Sequence, residues 1–164
     1  MAGRSKKKKI KGWVIILIVL ASFAAATYLL DRIYNPPSFK HYPAFGIDMP
    51  TKYTIHGIDV SRYQETIGWK LVKDMDVANI KVGFAFMKAT EGITRQDAQF
   101  KRNWKQARKA GIPRGAYHFF IASKSGKAQA ENFIDNVKLE PGDLPPVLDI
   151  EQVNGASVTA LQQR

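Results

Sequence analysis

Four short apolar runs begin at Ile55, Val82, Gly115 and Pro146. Each carries a polar residue at or near its C-terminal end, and those residues, Asp59, Lys88, His118 and Asp149, follow one another at intervals of 29, 30 and 31 positions. A strand, a returning helix and their loops consume about thirty residues, so the interval is one βα unit repeated. Strands are predicted over 55–60, 82–89, 115–120 and 146–151. Between the second and third, Phe100, Trp104 and Ala107 recur at helical spacing, and Gly111 closes that helix ahead of Ile112-Pro113. Further helices are expected over 69–77 and 127–138. This is an α/β chain, in either a doubly wound sheet or a barrel. No Gly-x-Gly-x-x-Gly follows the first strand and no Walker-type Gly-Lys-Ser/Thr occurs, so a nucleotide would lack its phosphate loop. A barrel-like, TIM-like arrangement is therefore expected, with the strand ends converging on one mouth.

The chemistry is concentrated in the fourth run, Pro145-Pro146-Val147-Leu148-Asp149-Ile150-Glu151. Residues i and i+2 of a strand share a face, which places Asp149 and Glu151 together about 7 Å apart along the backbone. Val147, Leu148 and Ile150 predict a buried strand, where neighbouring carboxylates resist double ionisation and one keeps its proton. Glu151, nearer the mouth, is the candidate proton donor and Asp149 its charged partner. Asp59, in Gly57-Ile58-Asp59-Val60-Ser61, is either a strand-end cap or a third acid of the site. Tyr117 and His118 end the third strand. A lone histidine is more often a satisfied core residue, and Lys88 with Glu91 reads as an internal ion pair or as mouth-lining groups. Trp69 and Trp104 are most simply core residues.

The chain has no cysteine, and His41, His56 and His118 lack metal-ligand spacing, so no metal site is expected. The net charge of +11 is uneven: Arg4, Lys6, Lys7, Lys8, Lys9 and Lys11 contribute six positive charges, while residues 53–164 hold 16 Lys/Arg against 12 Asp/Glu. The basic cluster abuts the uncharged run 13–30. Such a run spans about 27 Å as a helix and reads as a transmembrane anchor, or alternatively as a signal peptide cleaved near Ala24-Ala25-Ala26. The positive flank keeps residues 1–12 cytoplasmic and exports the rest, to the periplasm or the cell exterior. Residues 31–52, with Pro36, Pro37, Pro43 and Pro50, read as a semi-extended linker. Lys101, Arg102, Lys105, Arg108 and Lys109 form a solvated helix face. No nucleic-acid motif and no obligate protein partner are evident.

Taken in order, several segments resemble glycoside hydrolase family 25 lysozymes. They are Gly57-Ile-Asp-Val-Ser61 with Gln64, Lys88-Ala-Thr-Glu-Gly92, Asn103-Trp104, Ala110-Gly-Ile-Pro113, Gly115-Ala-Tyr-His-Phe119, Gln129-Ala130 and Leu144-Pro-Pro-Val-Leu-Asp-Ile-Glu151. The resemblance implies a flattened barrel of five βα units followed by three strands. It also implies cofactor-free hydrolysis of the β-1,4 bond between N-acetylmuramic acid and N-acetylglucosamine in peptidoglycan strands. Glu151 matches the acid, Asp149 the group assisting the acetamido oxygen and Asp59 a further carboxylate. Tyr117, with His118 and Lys88, would contact substrate. Residues 53–164 would supply only about the first four βα units, so this copy is expected to be incomplete at its C-terminal end. A noncatalytic wall-binding module and a chitin-directed glycosidase are the alternatives.

Overall fold

The computed structural model describes residues 12–35, 38–153, 155, 157, 159 and 162. The basic cluster before Gly12, and most of the stretch in which a further helix would begin at Ser157, lie outside them. The chain divides into two compact units, 1–52 and 53–164.

In the first unit the helix α1 (Gly12–Tyr34) has a mean hydropathy of 2.4 in its most apolar window and buries none of its residues. Its length and composition suffice to cross a membrane. It outlasts the apolar run by a turn that includes Asp31 and Arg32. The segment read as a semi-extended linker instead contains a hairpin, β1 (Phe39–Tyr42) paired antiparallel with β2 (Ile47–Pro50). Gly46 closes its turn at φ 66°, and His41 sits opposite Asp48 at 2.8 Å. Strands of four residues flanked by prolines are too short to show an alternating pattern.

The second unit contains β3 (His56–Val60), a 3-10 turn (Arg62–Gln64), α2 (Trp69–Asp74), β4 (Val82–Glu91) and β5 (Arg95–Gln96). These are followed by α3 (Phe100–Lys109), β6 (Arg114–Phe119), α4 (Gly126–Asn136) and β7 (Val147–Asp149). The four main strands are parallel in the order β3-β4-β6-β7, and β5 pairs antiparallel with the end of β4. Each new strand is added beside the last. The helices also share one side, because Trp69 of α2, Phe100 and Ala107 of α3 and Phe133 of α4 all join one core with Val60, Ala85, Met87 and Ala116. A doubly wound sheet would reverse direction and place helices on both faces. This sheet does neither; it is a curled half-barrel.

Small side chains set the curvature. Ala85 and Ala116 lie fully buried under the helices. On the other face the rings of Phe84 and Phe86 lie over Gly57 and Gly115, where an added Cβ would come within 2.2 Å of either ring. Gly111, at φ 70°, ends α3 in a Schellman turn, with Ile112 N donating to Ala107 O and Gly111 N to Arg108 O.

Arg114 ties the base of the unit together. It is 4% exposed, donates to Asp143 at 2.7 and 3.1 Å and to the Trp104 carbonyl, and stacks over the Trp104 ring. The long connection into β7 is thereby fixed to α3. β7 itself is an edge strand pairing with β6 alone among the described residues. Val147 and Leu148 of this strand, and Ile150 just after it, are 41–56% exposed. Removing Asp143 leaves the buried Arg114 with only the half-exposed Glu140 carboxylate, 3.6 Å away, so Asp143→Ala should destabilise the chain by about 3 kcal/mol. The double variant Arg114→Met/Asp143→Leu should recover most of that loss, with thermal unfolding as the measurement.

Candidate active site

Alternation along the strands decides which side chains meet. The register pairs Asp59 with Phe86 and Phe86 with Gly115. Lys88 pairs with Tyr117, Tyr117 with Val147, and Phe119 with Asp149. All of these lie on the concave face, opposite the helices. Asp149 ends β7 half-buried, and Glu151 lies two residues beyond it, exposed. Adjacent strands are about 4.8 Å apart, so Tyr117 has Asp149 on the neighbouring strand and Asp59 two strands away.

Tyr117 registers this convergence. Its ring is 9% exposed. Burial pushes its phenol well above the ordinary tyrosine range, and the charges of Asp59, Asp149, Asp97 and Glu151 push it further. A phenol so placed keeps its proton and acts as a hydrogen-bond donor. Asp59 and Asp149 thus share the face of the sheet that carries Tyr117, and the charge of Glu151 also acts on its phenol.

A β-bulge adds a second cluster. The β4–β6 register shifts between Lys88 and Thr90, so that Glu91, three residues after Lys88, pairs with Phe119 and returns to the concave face. Lys88 Nζ then reaches Glu91 Oε2 at 2.6 Å and lies 4.2 Å from the centre of the Phe119 ring. Arg95 holds the other Glu91 oxygen at 2.7 Å. Burial alone would raise the Glu91 carboxyl, but the Lys88 hydrogen bond and charge, with Arg95 and Arg62, hold it below the usual range. Lys88 is therefore committed to an ion pair on the mouth face, which joins both readings of that residue.

His118 does not join the mouth. One residue from Tyr117, it points to the helix side, where its ring contacts Thr90 Oγ1 at 2.7 Å and Gln129 Oε1 at 3.3 Å and meets Phe133 edge-on. The structure thus corrects its assignment to substrate contact. Burial, first, lowers its pKa; Lys88 adds to this, against the Gln129 hydrogen bond.

Asp97 was not legible as a site residue. It is 9% exposed, accepts from the backbone N–H of Arg62 and of Gln99 at 2.9 Å each, and contributes to the field on Tyr117. Its one sequence signal is an Asp shortly before a helix, the pattern of a turn-forming cap. Several matched motif residues support the scaffold. Asn103 accepts from Trp69 Nε1 at 3.1 Å, Gln129 clamps the Ile121 backbone through both ends of its amide, and the Gln64 side chain caps the Ser61 backbone at 2.8 Å.

Residues 58–164 match the family model for glycosyl hydrolases family 25. A curated relative, the "Uncharacterized protein YegX" of Escherichia coli K12, is 45% identical over 142 residues, which is 87% of this chain and 52% of the relative. Lysozyme M1 of Streptomyces globisporus is 44% identical over 101 residues, covering 59% of this chain and 33% of that protein. Among solved structures, a family 25 glycosyl hydrolase from Bacillus anthracis superposes with a TM-score of 0.62 at 35% identity, over 78% of this chain and 55% of that one. The chain spans about half the length of the first of these relatives.

Two titrations follow from this geometry. In ultraviolet difference titration, wild type minus Tyr117→Phe should show no ionisation of Tyr117 near the usual value of about 10. Its signal should come only at higher pH or on unfolding, because the raised phenol contributes stability that is full below about 10 and lost above it. His118 has a depressed folded pKa, so the unfolded chain takes up its proton first on acidification. Stability should be full above about 6.5 and fall as pH drops from there toward the folded value. Denaturant midpoints measured across that range, with His118→Gln as the reference lacking the titrating group, check the assignment.

Proposed function

The chain belongs to glycosyl hydrolases family 25, and from that premise we propose that it is a lysozyme-type glycosidase acting on peptidoglycan glycan strands. What supports the reading is the register that brings Asp59, Tyr117 and Asp149 to one face of the sheet, with Glu151 two residues beyond Asp149. Glycoside hydrolysis needs a proton for the departing oxygen and negative charge near the anomeric carbon as positive charge develops there. Glu151, outermost and open to solvent, gives its proton to the oxygen of the scissile β-1,4 bond. Asp149, deeper on the same face, orients the acetamido oxygen and stabilises charge at the sugar. Glu151 as carboxylate then takes a proton from the incoming water, which restores the acid. Tyr117 donates a hydrogen bond inside the subsite, and Asp59 adds charge from the far strand.

We further propose that α1 anchors the chain in a membrane, or serves as its export signal, with the basic N-terminal cluster on the cytoplasmic side. An apolar helix with none of its residues buried, next to a run of lysines, supports this reading. Residues 53–164 would then face the wall.

Glu151→Gln should lower the rate of peptidoglycan clearing by about 10²- to 10⁴-fold, with an unchanged circular dichroism spectrum and retained sugar binding. A wild-type chain that binds peptidoglycan but releases no reducing ends would favour the binding module, and turnover of chitin in preference to peptidoglycan would reject the substrate.

A further inference from the structure

Beside the acidic mouth, Arg62 makes no ion pair among the described residues. Arg62 opens the 3-10 turn three residues after Asp59, and its backbone is fixed on several sides. Its N–H donates to Asp97 Oδ2 at 2.9 Å, its carbonyl accepts from Glu65 N at 3.0 Å, and the Ser61–Gln64 capping box holds the turn at its start. The guanidinium is exposed. It lies 5.1 Å from the centre of the Tyr63 ring and donates to the Tyr63 hydroxyl at 3.3 Å, and Tyr63 is itself 74% exposed.

The neighbouring carboxylates are already committed. Glu91 is held by Lys88 and Arg95, and both Asp97 oxygens are occupied by backbone N–H groups. Among the described residues no carboxylate pairs with the Arg62 guanidinium. Arg62 lies beside Lys88, Glu91, Arg95 and Asp97, and Lys88 pairs in register with Tyr117. That places a planar, five-donor cation and an open aromatic ring on the rim of the mouth. An aromatic face takes the apolar side of a sugar ring, and a guanidinium takes a carboxylate in bidentate fashion.

We propose that Arg62 and Tyr63 form a specificity subsite for a carboxylate-bearing sugar, with Tyr63 stacking on the ring and Arg62 binding the carboxylate of the muramoyl arm. The subsite rests on the peptidoglycan reading and deepens it. It distinguishes N-acetylmuramic acid, which carries a lactyl carboxylate, from N-acetylglucosamine, which carries none. In a peptide-substituted strand the lactyl group is an amide, and the carboxylate comes from the stem peptide instead.

The test is equilibrium binding of free sugars to the full chain in detergent micelles, followed by calorimetry or ligand-observed NMR and independent of turnover. The wild-type chain should bind N-acetylmuramic acid about tenfold more tightly than N-acetylglucosamine, with the preference shrinking as salt is added. Arg62→Gln should bind the two equally, Arg62→Lys should keep part of the preference, and Tyr63→Leu should weaken both sugars alike. Muramoyl dipeptide separates the carboxylate sources: retained preference assigns the stem peptide, and lost preference the lactyl group. Equal affinities in the wild type, or a preference that survives Arg62→Gln, overturn the subsite. A chain that shows the preference yet never cleaves peptidoglycan sinks the catalytic reading alone, while cleavage without the preference sinks the subsite alone.

Discussion

Period-two alternation along four parallel strands sorts the side chains of residues 53–164 onto two chemically different faces. Ile58, Val60, Ala85, Met87 and Ala116 go to the helix side and form the core. Asp59, Lys88, Tyr117 and Asp149 go to the concave side. A slip of one residue in any strand would exchange the two sets, and the cost of burying an acid among Trp69, Phe100 and Phe133 holds the register in place. Hydrophobic packing on one face is therefore what positions charge on the other. The register shifts locally at His56–Gly57 and again at Lys88–Thr90, and the second shift returns Glu91 to the face where Lys88 waits.

This division explains why several matched motifs carry support and not chemistry. His118, Thr90 and Gln129 form a polar connection inside the helix layer, with Gln129 occupied by the Ile121 backbone. Asn103 serves the Trp69 indole. Each is a buried polar group whose partner is fixed by tertiary contact, and each would be costly to leave unpaired. Asp97 spans the two roles. It fixes the turn that follows β3 to the start of α3, and its charge reaches the mouth.

The electrostatics of the mouth are asymmetric. Acids stand on the outer strands β3 and β7 and a protonated phenol on β6, while cations gather where β4 ends. Lys88 and Arg95 share the single carboxylate of Glu91, and Arg62 faces solvent. The base of the unit is held separately, by Arg114 through Asp143 and the Trp104 carbonyl, so the β6–β7 connection is tied to α3 well away from the strand ends that carry the acids. Val147, Leu148 and Ile150 stay open because an edge strand has a neighbour on one side only.

The amino-acid sequence by itself determined the βα rhythm, the strands and helices to within a few residues and the apolar helix before them. These are local properties of period, capping and composition. It did not determine the hairpin over 39–50, whose strands are too short for a pattern. Nor did it determine the side of the sheet to which His118 turns, the bulge that returns Glu91 to Lys88, the pairing of Arg114 with Asp143, or the openness of β7. Each of those depends on which residues become neighbours across strands, at separations of 29 positions for Arg114 and Asp143 and 28 for Thr90 and His118. Only the tertiary structure fixes such contacts, because register and packing exist between elements and not within them.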